Sequence, residues 1–124
     1  MLVDFLLNDS YWAKNRTEAQ ILRSIQHSLC FIILEDEKMI GFARVVSDQA
    51  VFAYIADLFI DLEHRGKGLG KILMENILAY PKLELVSRWM LGTLDAHDLY
   101  RKYGFEVVEE EWRWMEKVSG KEIE

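Results

Sequence analysis

The sequence predicts a mixed three-layer α/β domain, with helices on both sides of a sheet, from the order and spacing of its apolar residues. Residues 3 to 12 predict one helix, and Thr17 with Gln20 forms a capping box that opens a second. Two strand-like runs follow, at residues 29 to 34 and 39 to 46, and a short polar turn joins them as a hairpin. Beyond the hairpin the predicted elements alternate as strand, helix, strand, helix and strand.

The first strand and helix of this alternation have the clearest patterns. Residues 51 to 60 are apolar except for Asp57, and their β-branched and aromatic content predicts a central strand covered on both faces. Apolar residues then recur at helical spacing from Leu69 to Tyr80, and Pro81 lies just past the expected end. This strand, the helix and the next strand should form a right-handed crossover.

Shorter elements complete the chain. Residues 88 to 94 predict a strand, and the residues after Asp95 predict a short helix that this carboxylate caps and that ends at Gly104. Residues 105 to 115 predict a closing strand whose two tryptophans share a face. Since no linker, repeat or low-complexity tract interrupts these elements, residues 1 to 124 are interpreted as one domain.

Composition and charge restrict the classes of function. The single cysteine, Cys30, cannot form an intrachain disulfide and is expected to be a buried small hydrophobe. No basic leader or long apolar run is present, so we expect a cytoplasmic protein without a membrane partner. The formal net charge of −6 opposes binding to nucleic acid. No Cys, His and Asp cluster has the spacing of metal ligands, so no metal site is predicted.

A glycine-rich loop, His64-Arg65-Gly66-Lys67-Gly68-Leu69-Gly70, separates the predicted central strand from the following helix. Glycines let the backbone approach an anion closely, and the first N–H groups of a helix favour negative charge. Arg65 and Lys67 can add charge-assisted bonds to phosphate oxygens. The even glycine spacing differs from the dinucleotide fingerprint, and Lys71 followed by Ile72 differs from a P-loop. The loop therefore predicts a phosphate site of another kind, with a simple tight turn as the alternative.

Two separated segments resemble the GNAT superfamily of N-acetyltransferases. Arg65-x-x-Gly68-x-Gly70 resembles the superfamily's pyrophosphate signature, Arg/Gln-x-x-Gly-x-Gly/Ala after the fourth strand. Ala96-x-x-Leu99-Tyr100-x-Lys102-x-Gly104-Phe105 resembles its second segment, which supplies the acetyl end of the site. The resemblance covers about residues 10 to 116 and implies a three-layer GNAT fold with a mixed, mostly antiparallel sheet. The sequence departs from the pattern in two ways. It predicts no strand before the first helix, either because the strand is absent or because it is missing from this sequence, and it has Thr93 where many members have asparagine.

The resemblance implies that acetyl-CoA is the acetyl donor, with its pantetheine arm paired to the main chain at the end of the central strand. It also implies a general acid, Tyr100, that protonates the departing thiolate, although this residue could instead be a packed helix aromatic. The implied cofactor-binding residues are Leu58, Phe59, Ile60, Arg65, Gly66, Lys67, Gly68, Leu69, Gly70, Lys71, Thr93 and Tyr100.

The general base is less well defined by the sequence. Asp57 is the only carboxylate in the central strand, which makes it the candidate general base if it faces the cleft. It could equally be a structural hydrogen-bond acceptor. His64 and His97 could deprotonate an ammonium group, but isolated histidines in a loop and at a helix start are more often exposed bystanders.

The acceptor is expected to be a primary amine on a small molecule, peptide or protein. GNAT substrates differ mainly around the first helix and the following loop, and that region here contains Tyr11, Trp12, Lys14 and Arg16. A non-catalytic acyl-CoA sensor is the alternative from another class, and a nucleotide-phosphate site without CoA is a third. Without a first strand, residues 29 to 34 become an apolar sheet edge, which predicts a homodimer.

Overall fold

The computed structural model describes residues 17–119, and the predicted helix at residues 3 to 12 lies outside that range. Four strands and three α-helices occur in the described part of the chain. In chain order they are α1 (Glu18–Gln26), β1 (Leu29–Glu35), β2 (Lys38–Ser47), β3 (Phe52–Ile60), α2 (Leu69–Leu78), β4 (Arg88–Leu91) and α3 (His97–Arg101). The element order up to α3 thus agrees with the sequence prediction.

Local sequence signals explain the first elements. Thr17 Oγ1 accepts a hydrogen bond from the Gln20 N–H at 3.1 Å, and Gln20 Oε1 accepts one from the Thr17 N–H at 2.8 Å. The predicted capping box is therefore confirmed at the start of α1. Asp36 and Glu37, between β1 and β2, have positive φ angles of 49° and 68°. Such angles suit a tight two-residue hairpin turn.

The four strands form one sheet in the order β1, β2, β3 and β4. The β1–β2 and β2–β3 pairs are antiparallel, whereas β3 and β4 are parallel. Parallel neighbours need a crossover, and α2 supplies it. The mixed, mostly antiparallel sheet predicted from the resemblance is confirmed.

Helices cover both faces of the sheet. On one face, α2 contributes Leu73, Met74 and Ile77 to a core with Ala43 and Ile55. On the other face, α1 inserts Ile21 against Phe42 and Phe59, with the half-buried Cys30 beside them. Phe42 and Ala43 are adjacent in β2 and so face opposite sides, which makes the domain three layers deep. None of the helices within residues 17–119 combines the length and apolarity that spanning a bilayer requires.

The prediction that residues 51 to 60 are covered on both faces is wrong at the start of the strand. Phe52 is 36% and Tyr54 41% exposed, while Ala53 and Ile55 are buried. Only the α2 side is covered there, because α1 packs over the opposite end of the strand at Phe59.

The predicted closing strand at residues 105 to 115 is also wrong. This segment contains no strand, and its regular part is a single 3₁₀ turn at Glu111–Arg113. Trp112 is 77% exposed, and Trp114 stacks its ring 4.5 Å below the Arg88 guanidinium carbon. The alternating pattern of residues 105 to 115 is not sufficient to form a strand, because a strand also needs a neighbouring strand with which to exchange hydrogen bonds.

Candidate functional site

A cleft opens where β3 and β4 separate. Their pairing runs from Phe52–Arg88 to Ile55–Leu91, and β4 ends there while β3 continues to Ile60. The predicted strand at residues 88 to 94 is thus three residues too long, because the chain beyond Leu91 leaves β3 and lines the opening instead. The cleft has a volume of about 800 Å³, within the range of small-molecule and cofactor sites.

A β-bulge lies at the point of separation. Arg44 pairs with Asp57, but the next residue of β2, Val45, pairs with Ile55, which leaves Ala56 as an extra residue in β3. Such a bulge bends a strand and reverses which side chains face each surface beyond it. Ile55 therefore faces α2, whereas Asp57 faces the α1 side.

The glycine loop forms one end of the cleft. Gly66 and Gly68 have φ angles of 82° and 79°, a region that side-chain-bearing residues rarely adopt. Gly68 is also the N-cap of α2, so no side chain caps the first N–H groups of this helix, and no acidic residue occupies its first turn. These N–H groups and the helix dipole make the loop suitable for an anion.

Neighbouring contacts fix the position of this loop. Arg65 Nε donates a hydrogen bond to the Ile60 carbonyl oxygen at 3.1 Å, which holds the guanidinium at the end of β3. The Tyr103 hydroxyl donates to the Lys71 carbonyl oxygen at 3.4 Å in the first turn of α2. A Cβ at Gly70 would meet Leu99 Cδ2 at 3.9 Å, an ordinary contact. The loop is thus tied to both walls of the cleft.

His64 is a structural link between the β1–β2 hairpin and the loop. Its Nε2 lies 2.6 Å from Glu35 Oε2, and its Nδ1 lies 2.8 Å from Asp61 Oδ2. The hydrogen bond to His64 holds the pKa of Asp61 below its usual range. Because the imidazole is only 16% exposed, the expectation of an exposed bystander is wrong for His64. His97 is exposed, as expected.

Tyr100 lines the same cleft as Arg65 and Gly70. It belongs to α3, is 9% exposed and stacks edge to face on Phe105 with 6.0 Å between the ring centroids. Burial, and secondarily the negative charge of Asp95, raises the pKa of Tyr100 above 10.0. The phenol thus keeps its proton at neutral pH and is able to donate it.

The loop before α3 differs from the prediction in one detail. The N-cap of α3 is Ala96, and Asp95 makes no capping hydrogen bond. Instead, Thr93 Oγ1 accepts a hydrogen bond from the Ala96 N–H at 3.1 Å. Thr93 therefore organises the turn beside Tyr100, while Gly104 ends the region with the predicted positive φ of 89°.

Asp57 does not line the cleft. Its side chain is fully buried and accepts a hydrogen bond from Arg44 Nε at 2.7 Å. Arg44 Nη1 donates in turn to Ser28 Oγ at 3.0 Å. This geometry favours the structural-acceptor role considered for Asp57 over that of general base. Arg44 was not predicted, although it is the only charged residue in the run from residues 39 to 46, and that isolation was an available signal.

The cleft thus brings together residues that are distant in sequence. The predicted cofactor-binding residues that line it are Leu58, Phe59, Ile60, Arg65, Gly70, Thr93 and Tyr100. The others lie in the adjoining loop and the first turn of α2, namely Gly66, Lys67, Gly68, Leu69 and Lys71. The residues considered for acceptor recognition, Tyr11, Trp12, Lys14 and Arg16, lie outside the described range.

Comparison with known proteins agrees with this fold. A model of the acetyltransferase (GNAT) family matches residues 1–105. The chain therefore belongs to the GNAT acetyltransferase family, whose acyl donor is acetyl-CoA. A crystal structure from Xanthomonas campestris pv. campestris, assigned to the same family, is 42% identical and superposes with a TM-score of 0.89. It covers 96% of this chain and 84% of its own.

Two further relatives are more distant. The chloroplastic GCN5-related N-acetyltransferase 2 of Arabidopsis thaliana is 35% identical over 74 residues, which are 59% of this chain but 29% of the plant protein. This chain thus spans less than a third of that relative. A GNAT acetyltransferase from Elizabethkingia anophelis, solved with acetyl-CoA bound, shares the fold at a TM-score of 0.62 and 16% identity, covering 75% of this chain and 63% of its own.

Proposed function

We propose that this chain is an N-acetyltransferase that transfers the acetyl group of acetyl-CoA to a primary amine on a small molecule, peptide or protein. The observation that carries the proposal is the cleft between β3 and β4, which is lined both by the uncapped first turn of α2, at Gly70, and by the protonated phenol of Tyr100. These are the two groups that a phosphate-bearing thioester requires.

The residues of the cleft fit acetyl-CoA in three respects. The N–H groups at the start of α2 and the cation of Arg65 suit the pyrophosphate. Leu58, Phe59 and Ile60 continue past the end of the β3–β4 pairing, so their strand can accept the pantetheine arm as an added strand. The third respect is Tyr100, which lines the cleft and can donate its proton to the sulfur of a bound thioester.

The chemistry needs no covalent enzyme intermediate. The lone pair of the neutral amine attacks the thioester carbonyl carbon, so that a C–N bond forms and the C–S bond breaks. Tyr100 gives its phenolic proton to the leaving sulfur and thereby avoids release of a free thiolate. The amine loses one proton to solvent, and solvent returns one proton to the Tyr100 phenolate, so the phenol is restored and no net proton is consumed. We assign no general base within residues 17–119, because Asp57 is paired with Arg44 away from the cleft.

An amine-dependent thiol-release assay tests this function. The purified chain is given acetyl-CoA together with polyamines, amino acids, aminoglycosides or N-terminal peptides, and mass spectrometry identifies any acetylated amine. We expect release of CoA that depends on one class of amine. Tight acetyl-CoA binding without release for any amine would instead support the acyl-CoA sensor, and competition by ATP would support a general nucleotide-phosphate site.

A further inference from the structure

The buried ion pair of Arg44 and Asp57 lies directly beside the β-bulge that opens the cleft. The two residues are opposite each other in β2 and β3, and the register shifts at the next position, where Ala56 has no partner in β2. Arg44 is 9% and Asp57 2% exposed, and Nε and Oδ2 are 2.7 Å apart.

A network of hydrogen bonds anchors this pair to a second element. Arg44 Nη1 donates to Ser28 Oγ at 3.0 Å, and Ser28 Oγ donates to the Ser24 carbonyl oxygen at 2.6 Å, near the end of α1. Arg44 is thus held from the β3 side and from the α1–β1 connection at once. Its guanidinium has little freedom to follow Asp57 if β3 shifts.

A buried ion pair is weak evidence for a contribution to stability, because replacing it by an apolar pair of similar volume often leaves the stability of the folded protein unchanged or raises it. In this protein the pair forms only in the observed register, in which Arg44 and Asp57 are opposite each other. If the bulge were lost and Asp57 turned to the other face, its carboxylate would enter the apolar cluster of Leu73, Met74 and Ile77 without Arg44. Burying a charge unpaired is costly, so the pair opposes this slip.

The bulge lies in the part of β3 that lines the cleft. The β3–β4 pairing ends at Ile55, directly before Ala56, and the cleft is lined by residues 54 to 56 and, beyond Asp57, by residues 58 to 60. We infer that Arg44 and Asp57 are positioning residues, which fix the bulge at Ala56 and so aim the backbone of residues 58 to 60 at the cofactor. This inference rests on the proposed function, since it assigns the pair to acetyl-CoA binding.

The test replaces both charges by apolar side chains, in the double variant Arg44→Met with Asp57→Leu. Calorimetry measures its affinity for CoA, and hydrogen exchange without CoA follows the amides of residues 56 to 60. We expect the dissociation constant to rise at least about tenfold and these amides to exchange faster. In thiol release, the KM for acetyl-CoA should rise by a larger factor than kcat falls, because the variant leaves Tyr100 in place.

The exposed ion pair of Arg113 and Glu110, at 2.6 Å, provides a matched control. The variant Arg113→Met with Glu110→Leu removes a pair of equal charge that lies outside the sheet, and its CoA affinity should not change. A folded Arg44→Met, Asp57→Leu protein with wild-type affinity and wild-type exchange would overturn the inference.

Two single variants decide the question if the double variant does not fold. Asp57→Asn keeps the shape but not the charge and should weaken CoA binding about tenfold, whereas Arg44→Lys keeps the charge and should stay within about threefold. Equal affinity of Asp57→Asn and wild type would also overturn the inference. Failure of the wild-type protein to bind CoA would contradict the proposed function instead, and the exchange measurement would still report whether the pair holds the bulge.

Discussion

The Tyr100 ring meets the Phe105 ring edge to face, with 6.0 Å between their centroids, so the aromatic part of Tyr100 has a packing role that is separable from its hydroxyl. Tyr100→Phe keeps the ring and removes only the proton donor. We predict that this variant folds and binds acetyl-CoA as wild type does, while kcat falls by about 10²-fold to 10⁴-fold. The measurement is thiol release under conditions where chemistry limits the rate. Equal turnover of wild type and Tyr100→Phe would show that Tyr100 has only a packing role.

The raised pKa of Tyr100 predicts the alkaline limit of activity. Burial and the charge of Asp95 both favour the protonated phenol, so the acid form persists as pH rises and is lost only above the ordinary value of 10.0. We expect the alkaline limb of the kcat profile to lie above pH 10, and Asp95→Asn to move it to lower pH because one of the two causes is removed. If the alkaline limb of the kcat profile is unchanged in Tyr100→Phe, the titration of another group causes it.

The same shift affects stability in a defined direction. A folded pKa above the unfolded value means that the folded state holds the phenolic proton more tightly, so this contribution is complete below pH 10 and is lost as pH rises through the folded pKa of Tyr100. Urea unfolding of wild type and Tyr100→Phe should therefore show stabilities that diverge above pH 10, with wild type declining more steeply. Parallel curves through that range would contradict the burial of this phenol.

The two glycines at similar positive φ angles allow a controlled test of the phosphate loop. Gly68 has φ 79° and Gly104 has φ 89°, and a Cβ at either would meet no atom within 4 Å. Alanine should therefore cost each site about 1–2 kcal/mol of backbone strain. We predict that only Gly68→Ala weakens CoA binding in calorimetry, because only Gly68 lies at the helix N-terminus. Equal losses of affinity would show a general effect of destabilisation.

Gly70→Val is a second test of the same loop, free of backbone strain. Gly70 does not have a positive φ, and a Cβ there would touch only Leu99 Cδ2 at 3.9 Å. The variant should fold, yet its branched side chain would stand between the first turn of α2 and the phosphates. We predict loss of CoA binding by at least about tenfold. A folded Gly70→Val protein with full affinity would place the pyrophosphate elsewhere.

The homodimer expected from the sequence stays a prediction, but the structure changes the choice of variants. Phe31 and Ile33 pack against the core on the α2 side, so charges there would disrupt folding. Ile32 and Leu34 are 50% and 63% exposed on the same strand. Lysine at these two positions discourages edge pairing and should convert a dimer into a monomer in light scattering. Wild-type protein that is monomeric at every concentration would rule the dimer out.

The elements predicted correctly are those that local sequence determines. The capping box of Thr17 and Gln20 acts within one helical turn, and the positive φ angles of Gly66 and Gly68 follow from the residue type. The glycine loop and the Tyr100 segment could therefore be predicted from the sequence alone as two parts of one cofactor site.

The errors concern features that depend on distant partners. Residues 105 to 115 alternate as a strand does, but no described strand pairs with them. The role of Asp57 depended on Arg44, thirteen residues earlier in the chain, and their meeting was set by the strand register. Sequence patterns record which face a residue prefers, whereas bulges and strand ends are decided by packing between elements.

A crystal structure of the protein with acetyl-CoA would locate the cofactor relative to the glycine loop and Tyr100. We predict pyrophosphate oxygens within hydrogen-bonding distance of the N–H groups that follow Gly68, the pantetheine arm along Leu58 to Ile60, and the thioester sulfur next to the Tyr100 hydroxyl. Acetyl-CoA bound outside the cleft between β3 and β4, or bound in the cleft with its thioester remote from Tyr100, would contradict the proposed function.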